Sequence, residues 1–505
     1  MKRYTNIVKY LLLASLFQVT NCTKHDPYLA PPVLVKIGDK TITQNEFISR
    51  SEFTPRPAYC KGSSYIHKKI VLNSLIAEKL FALEAGENNA SIMNKNVQAY
   101  LKGRREQAMR EILLKKEAYE IVQLDTALIL NTIENSWRTY SICFANFNQL
   151  SSAKEFIEFV PVLDTLNADK ESVNYAKEIM SKRSVSWDEA EHDSVLQVLF
   201  SGRVEIGKAV GPIKIDLDNY LVLYVNGWSV NPLASSQQFE RRWQDVAGYH
   251  TRKIAQRNYR EIEKKLMHGK SIIFERNTFY DFIKALAPLY IDSNDDNIMN
   301  LGIMHHTENA SEYSNSNIKG GLEKLKDKKL FNLNNKPWTV QMLIDLLKSR
   351  PLVFRSDRIP KQEFGEQLKL AIIDVITDHY LTQKAYESHY DNEPYVKRVE
   401  IMWKDHINAL YEKDRLLRNY MVDSSRTSNY IQLVETYLNP VVDSLQNAYS
   451  EIIEIDMDLF KSISISRIDM LAVQDYMPYP VTTPSFPLLT NDHILDYGTR
   501  TNTEQ

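Results

Sequence analysis

Glycine is scarce in this chain, 15 in 505 residues, and cysteine scarcer still, with three. Few glycines leave few positions for tight phosphate-cradling or catalytic loops and favour long helices. Cysteines at 22, 60 and 143 form no Cys-x-x-Cys pair and no disulfide-dense scaffold. Cys60 and Cys143 fit either one disulfide or two free thiols. An excess of one charge is absent too, with 62 Lys and Arg against 64 Asp and Glu. That balance argues against nucleic acid as a partner. No apolar run beyond the N-terminus approaches the ~18 residues that span a bilayer. No Walker loop, dinucleotide fingerprint, His-Glu-x-x-His or Gly-x-Ser-x-Gly occurs. His305-His306 has only Glu308 nearby and makes a poor metal set. No cofactor, metal or nucleic acid is therefore expected.

What is present begins at the N-terminus. Lys2, Arg3 and Lys9 precede an apolar stretch, Tyr10 to Val19, and Cys22 follows. A short apolar core behind a basic start is a secretory signal. The cysteine at its end resembles the lipidation site of bacterial lipoproteins. That resemblance implies a signal peptide over 1–21, a lipid on Cys22 and a place in the cell envelope. Thr23 in place of Asp after the cysteine favours the outer membrane. Each lipid chain contributes ~0.8 kcal/mol per buried CH₂, and two or more chains anchor stably.

Residues 22–32 (CTKHDPYLAPP) are a polar, Pro-rich tether. Val33 to Ile37 alternates as a strand, Gly38-Asp39 turns, and Lys40 to Ile42 pairs back. Thr43 caps a short helix. Ile66 to Ala85 is an amphipathic helix, with Ile66, Ile70, Leu72, Leu75, Ile76, Leu80 and Leu83 inward and Lys68, Lys69, Glu78 and Lys79 largely opposite. Arg104 to Val122 is a second long helix, and Asp125 caps a third. From Tyr140 the texture turns β-prone and aromatic. Ser152 to Phe159 and Ser172 to Met180 read as helices. Val210 to Ile215 and Tyr220 to Val225 read as strands about the Asp216–Asn219 turn. Residues 229–290 form a helical connector and 291–423 a second helical region, in which Lys324 to Lys329 is a solvated loop and Thr339 caps a helix. Residues 424–475 hold a C-terminal helix and strands, with Ile452 to Ile463 as a strand pair. Residues 476–505, with four prolines, read as a disordered tail. No internal repeat is evident.

The stretch VLVKIGDKTITQNEFISR, followed by IHKKIVLNSLIAEKLFALEAG, resembles the N-terminal domain of SurA/PrsA/PpiD-type periplasmic chaperones. The pattern falls on Val71, Leu72, Leu75, Ile76, Glu78, Lys79, Leu80, Glu84 and Ala85. Tyr140 to Trp228 resembles a parvulin (PpiC-type) peptidyl-prolyl isomerase domain, best over VLFSGRVEIGKAVGPIKI and NYLVLYVNGW. The fold expected is α+β and mostly α-helical. A helical chaperone domain (33–139) carries a small parvulin-like α/β domain (140–228), with a further helical C-terminal region. In family members the C-terminal segment packs back on the N-terminal domain, and Ile452 to Ile463 is the candidate here.

The isomerase pattern is incomplete. Active parvulins carry one histidine on the first strand and one on the last. These positions fall near Ser141 or Ile142 and near Leu221. SVSWDEAEH (Ser184 to His192) replaces the glycine-rich loop. Peptide-bond rotation faces a barrier of ~18–20 kcal/mol, so a domain without polar groups around the twisted amide binds peptide but catalyses poorly. The resemblance then implies a folding chaperone for envelope or outer-membrane proteins, with unfolded or extended polypeptide as partner and no catalytic residue assigned. Phe144, Leu199, Phe200 and Leu221 are the candidate peptide-binding residues, and Cys143 a candidate pocket neighbour. An active prolyl isomerase and a scaffolding envelope lipoprotein are the alternatives.

Overall fold

The computed structural model describes residues 30–163, 179–189, 191–216, 219–231, 235–290, 320–355, 359–420, 430–466 and 482–501. Cys22, His305-His306 and most of the expected helix at 172–180 lie outside them. The described chain is mixed α+β and mostly helical, with small, mainly antiparallel sheets. It divides into two compact units. Unit 2 is Lys115–Ile262, and unit 1 is made from the chain on both sides of it.

In chain order, β1 (Val33–Ile37) and β2 (Lys40–Thr43) form a hairpin that leads into α1 (Gln44–Glu52). The long helices α2 (Tyr65–Ala85) and α3 (Lys95–Leu114) follow. Ser64 caps α2, and Gly86, at φ +70°, ends it. Unit 2 contains α4 (Thr126–Ser136), capped by Asp125 as expected, and β3 (Arg138–Phe147). It continues with α5 (Leu150–Leu163), β4 (Ser181–Val185) and α6 (Asp193–Leu196), which runs on as a π-turn at Gln197–Ser201. Its last strands are β5 (Ala209–Asp216) and β6 (Asn219–Val230), and α7 (Ser236–Met267) leads out of it. Then come β7 (Ile272–Phe274), α8 (Arg276–Tyr290), β8 (Lys329–Leu333), β9 (Lys336–Thr339) and α9 (Val340–Leu347). The C-terminal part holds α10 (Phe364–Glu387), α11 (Pro394–Asn419), α12 (Asn439–Ala448), β10 (Ile453–Asp456), α13 (Met457–Ser462) and β11 (Thr499–Thr501).

Unit 1 is closed by the far end of the chain. β10 pairs antiparallel with β1, Ile455 opposite Val35 and Ile453 opposite Ile37. Ile37, Ile42, Phe47, Val71, Leu75, Ile453, Ile455 and Phe460 then share one core. Ile452 to Ile463 is thus a strand followed by a short helix rather than the expected strand pair. Asp456 explains the switch: its carboxylate accepts the Leu459 amide and caps α13.

The expected disordered tail is another correction. Residues 482–501 are ordered, and Phe486, Leu489, Thr490 and Leu495 are buried. The Ser74 hydroxyl and the Asn73 amide donate to the Thr490 and Asp492 carbonyls, at 3.2 and 3.0 Å. Prolines break regular structure here, but the apolar residues between them still reach the core. Gly498 permits the closest approach, since a Cβ there would sit 2.9 Å from Ile453.

A repeat invisible in the sequence pattern is plain in three dimensions. Strands β7, β8 and β9 form a sheet within the region expected to be helical, and Lys329 opens a strand rather than ending a loop. This sheet reproduces β10, β1 and β2. Both hairpins have two-residue turns, Ile37 opposite Lys40 and Leu333 opposite Lys336. Gly38 takes φ +55°, and Asn334 and Asn335 take +52° and +64°. Both ladders shift register near the start, between Val33 and Val35 and between Lys329 and Phe331. Thr43 and Thr339 cap the next helices, accepting from Glu46 N and Met342 N. Four residues on, Phe47 and Leu343 are fully buried. The outer strands also match. Gly38 N donates to Ile452 O at 3.1 Å, and Asn334 N to Ser271 O at 3.0 Å.

Candidate functional site

The central strands of unit 2 decide what its sheet can do. The order is β4-β3-β6-β5, all neighbours antiparallel. Alternation sends Tyr140, Ile142 and Phe144 of β3 to one face with Leu221, Leu223 and Val225 of β6. Val195 of α6 and Leu199 and Phe200 of the π-turn cover that face. Tyr140 and Trp187 meet the Phe200 ring edge-on, with centroids 5.3 and 5.4 Å away. The Asn135 amide donates to the Phe200 carbonyl at 2.9 Å, fixing the turn against α4.

The four candidate peptide-binding residues are brought together, but as core rather than as the walls of a pocket. Leu199 and Phe200 are 0% exposed and Leu221 is 4% exposed. Phe144 is half-buried, with the Arg183 guanidinium 4.7 Å over its ring. The apolar character that marks a peptide-binding wall also marks a sheet core, and here the cover from the π-turn takes it up.

The positions that stand for the two histidines do not meet. Ser141 is exposed and faces Gly227 across the ladder, Ile142 is buried opposite Val225, and Leu221 faces Asn146. Strand alternation puts these two neighbours on opposite faces, and the extra residue lies on β6, at Asn226. Ile142 and Leu221 themselves bring only aliphatic side chains, which can neither donate to nor accept from a twisted amide. Cys143 faces the other way, its Sγ 3.2 Å from Asn226 Nδ2, so it is no neighbour of the Leu221 face. Cys143 and Cys60 are both buried free thiols. Burial pushes the Cys60 thiol up to about 12, with Arg56 opposing, which keeps it protonated and inert.

A second place in unit 2 is an open cleft of about 340 Å³ beside Trp137, Arg138, Asp188 and Arg241. Its Arg242 already makes two 2.8 Å bonds to Asp188 and lies 4.7 Å over the Trp137 ring. The Arg242 guanidinium is thus already engaged inside the cleft. Among the described residues no group of His, Cys, Asp and Glu is arranged to hold a metal. No helix among them is long and apolar enough to cross a membrane.

The strongest electrostatics lie inside unit 1, where the helical pattern placed solvent. Glu78 and Lys79 of α2 are 0% and 1% exposed. Arg50 grips Glu78 with two 2.8 Å bonds, and His406 Nδ1 lies 2.7 Å from the same carboxylate. Arg50 also donates to Ser485 O, and His406 Nε2 is 3.2 Å from Ser485 Oγ. Burial alone would raise the Glu78 carboxyl, but Arg50 and His406 outweigh it and hold it well below the usual range. Lys79 sits 2.8 Å from Glu46 and 3.1 Å from Asp405, and Lys40 reaches Asp405 at 2.6 Å. The signal for this network was the apolar content of α2 on every side, which marks a helix packed all round.

Glu111 of α3 is buried and accepts the Tyr395 hydroxyl at 2.6 Å, with Gln107 as a second donor. Burial raises its pKa to about 7, the Tyr395 bond opposing. The folded state therefore keeps a proton that the unfolded state releases near 4.5, and stability is lost as pH rises from about 4.5 to 7. Glu111→Gln retains the Tyr395 bond and removes the titration. It is expected to raise stability by about 3 kcal/mol at pH 8 relative to its effect at pH 4. Urea unfolding at the two pH values measures this, and an equal effect at both would refute it.

No protein-family model, curated protein or solved structure matches this chain.

Proposed function

We propose that this protein is a lipid-anchored folding chaperone of the bacterial cell envelope. It is held through Cys22, with the outer membrane favoured, and faces the periplasm. Its parvulin-like unit is non-catalytic, and its clients are unfolded or extended polypeptides, including the strands of outer-membrane proteins. The observation that carries this reading is the pairing of β10 on β1. The C-terminal segment returns to the N-terminal hairpin, as it does in the chaperones the sequence resembles, and a compact α+β unit lies between them in the chain. The order strand, helix, strand, helix, strand, strand in that unit supports the parvulin resemblance. The apolar side chains of Ile142 and Leu221 favour binding over catalysis. Unfolded strands expose unpaired edges, so shielding them limits aggregation.

The test uses the protein lacking residues 1–22. An outer-membrane β-barrel protein diluted from urea is expected to scatter less light in its presence. Prolyl cis/trans exchange in a short X-Pro peptide, followed by NMR, is expected to stay at the uncatalysed rate, tens of seconds or slower. Undiminished scattering would sink the chaperone reading. Accelerated exchange would make the protein an enzyme first.

A further inference from the structure

The two copies of the hairpin module differ at one edge. In the first, the outer strand β10 is not the sheet's border: β11 lies beside it in parallel, with Glu454, Ile455 and Asp456 opposite Thr499, Arg500 and Thr501. In the second copy the equivalent strand is β7. It pairs with β8 on one side and, among the described residues, with nothing on the other.

The backbone of β7 shows what that edge offers. Ser271 O and Glu275 N bond to the β8 side, accepting from Asn334 N and donating to Leu330 O. Alternation turns Ile273 inward as well, which leaves the N–H and C=O groups of Ile272 and Phe274 pointing outward. The side chains differ in the same sense. Ile453 and Ile455 are 0% exposed, whereas their counterparts Ile272 and Phe274 are only half-buried and Ile273 is 61% exposed. An open row of donors and acceptors beside apolar side chains matches an added strand and little else.

Charge around the edge selects the strand. Lys265 and Arg276, both exposed, lie on either side of it in the sequence, Lys270 donates to the Leu266 carbonyl over the Tyr380 ring, and the one acidic neighbour in the segment, Glu275, is matched by Lys329 at 3.2 Å. We propose that the free edge of β7 takes up an extended, acid-flanked polypeptide segment as a fourth strand, as β10 takes up β11. This rests on the chaperone reading for the origin of the segment, an unfolded client, and on the module repeat for its geometry.

The probe is a fluorescein-labelled peptide of four Val-Thr repeats flanked by Asp pairs, titrated into the protein lacking residues 1–22. Saturable anisotropy is expected. So is slower hydrogen exchange at the Ile272 and Phe274 amides, with no change at Ile453 and Ile455. Ile272→Pro removes an outward N–H and leaves the β8 bonds in place, so affinity is expected to fall at least tenfold. Ile272→Ala keeps the N–H and is expected to bind within threefold of the parent. Should the proline variant fail to fold, the exchange pattern at Ile272 and Phe274 still decides. No binding, or protection elsewhere, overturns the proposal while suppressed client aggregation leaves the chaperone reading standing. Binding without suppression keeps the edge and sinks that reading. Protection at the edge that follows self-association by sedimentation would assign it to a second copy and overturn the proposal.

Discussion

Truncation after residue 481 is expected to unfold unit 1. It removes Phe486, Leu489 and Leu495, each contributing roughly 1.5–3 kcal/mol by burial. Together these amount to roughly 5–9 kcal/mol, an upper estimate, against a domain stability of about 5–15 kcal/mol. The cut also takes the Ser485 carbonyl from Arg50, the Thr490 and Asp492 carbonyls from Ser74 and Asn73, and β11 from β10. Ile453 would then lose Gly498, whose backbone packs directly on it. Denaturation of the truncated chain followed by circular dichroism should show the main helical transition lost or moved to much lower urea. A transition unchanged from the parent would mean that the segment rests on the surface without supporting it.

The second large effect is expected at Glu78. Glu78→Ala leaves Arg50 buried without its carboxylate and deprives His406 Nδ1 of its partner. Breaking a buried pair from one side costs about 3–5 kcal/mol because the remaining charge has no water to return to. Glu78→Gln keeps an acceptor for Arg50 but not the charge, and should fall between. The double variant Arg50→Met with Glu78→Leu removes both charges. It is expected to recover much of the loss, since apolar replacement of a buried pair is often neutral or better. Urea midpoints of the three variants make the comparison. A single Ala variant within about 1 kcal/mol of the parent would mean that water reaches Arg50 and that the network contributes little.

These two sites show why sequence patterning went only part of the way. Helix α2 was legible as a helix from its spacing, and its caps follow from Ser64 and Gly86. Its Glu78 and Lys79 were not legible as buried, because an amphipathic pattern reads any charge as solvent-facing. Only the approach of α1 and α11, bringing Arg50, Asp405 and His406, makes a buried charge tolerable. The tail was misjudged for a related reason. Proline density argues against regular structure, yet Phe486 and Leu489 need only a groove, and that groove exists only once α2 and α12 have packed.

In unit 2 the strands β3, β5 and β6 were legible from their alternation and their turn. Their register was not, and register sets Ser141 opposite Gly227, six residues along β6 from Leu221, while strand alternation turns Cys143 away. The candidate pocket residues Phe144, Leu199, Phe200 and Leu221 share one cluster, since apolar residues on neighbouring strands and a covering turn converge. Whether such a group lines a pocket or fills a core depends on the cover, and the π-turn at Gln197–Ser201 fills it.

The amino-acid sequence by itself determined the local elements: the Gly38 turn, the Thr43, Asp125 and Thr339 caps, and the long helices, all set by interactions within a few residues. Tertiary structure alone decided which charges are buried, that the C-terminal segment completes the first sheet, and that the hairpin module occurs twice, with one edge covered and the other, among the described residues, unpaired. Those depend on contacts between residues hundreds of positions apart. Local propensity carries no record of them, because the free energy that selects them is released only when the distant surfaces meet.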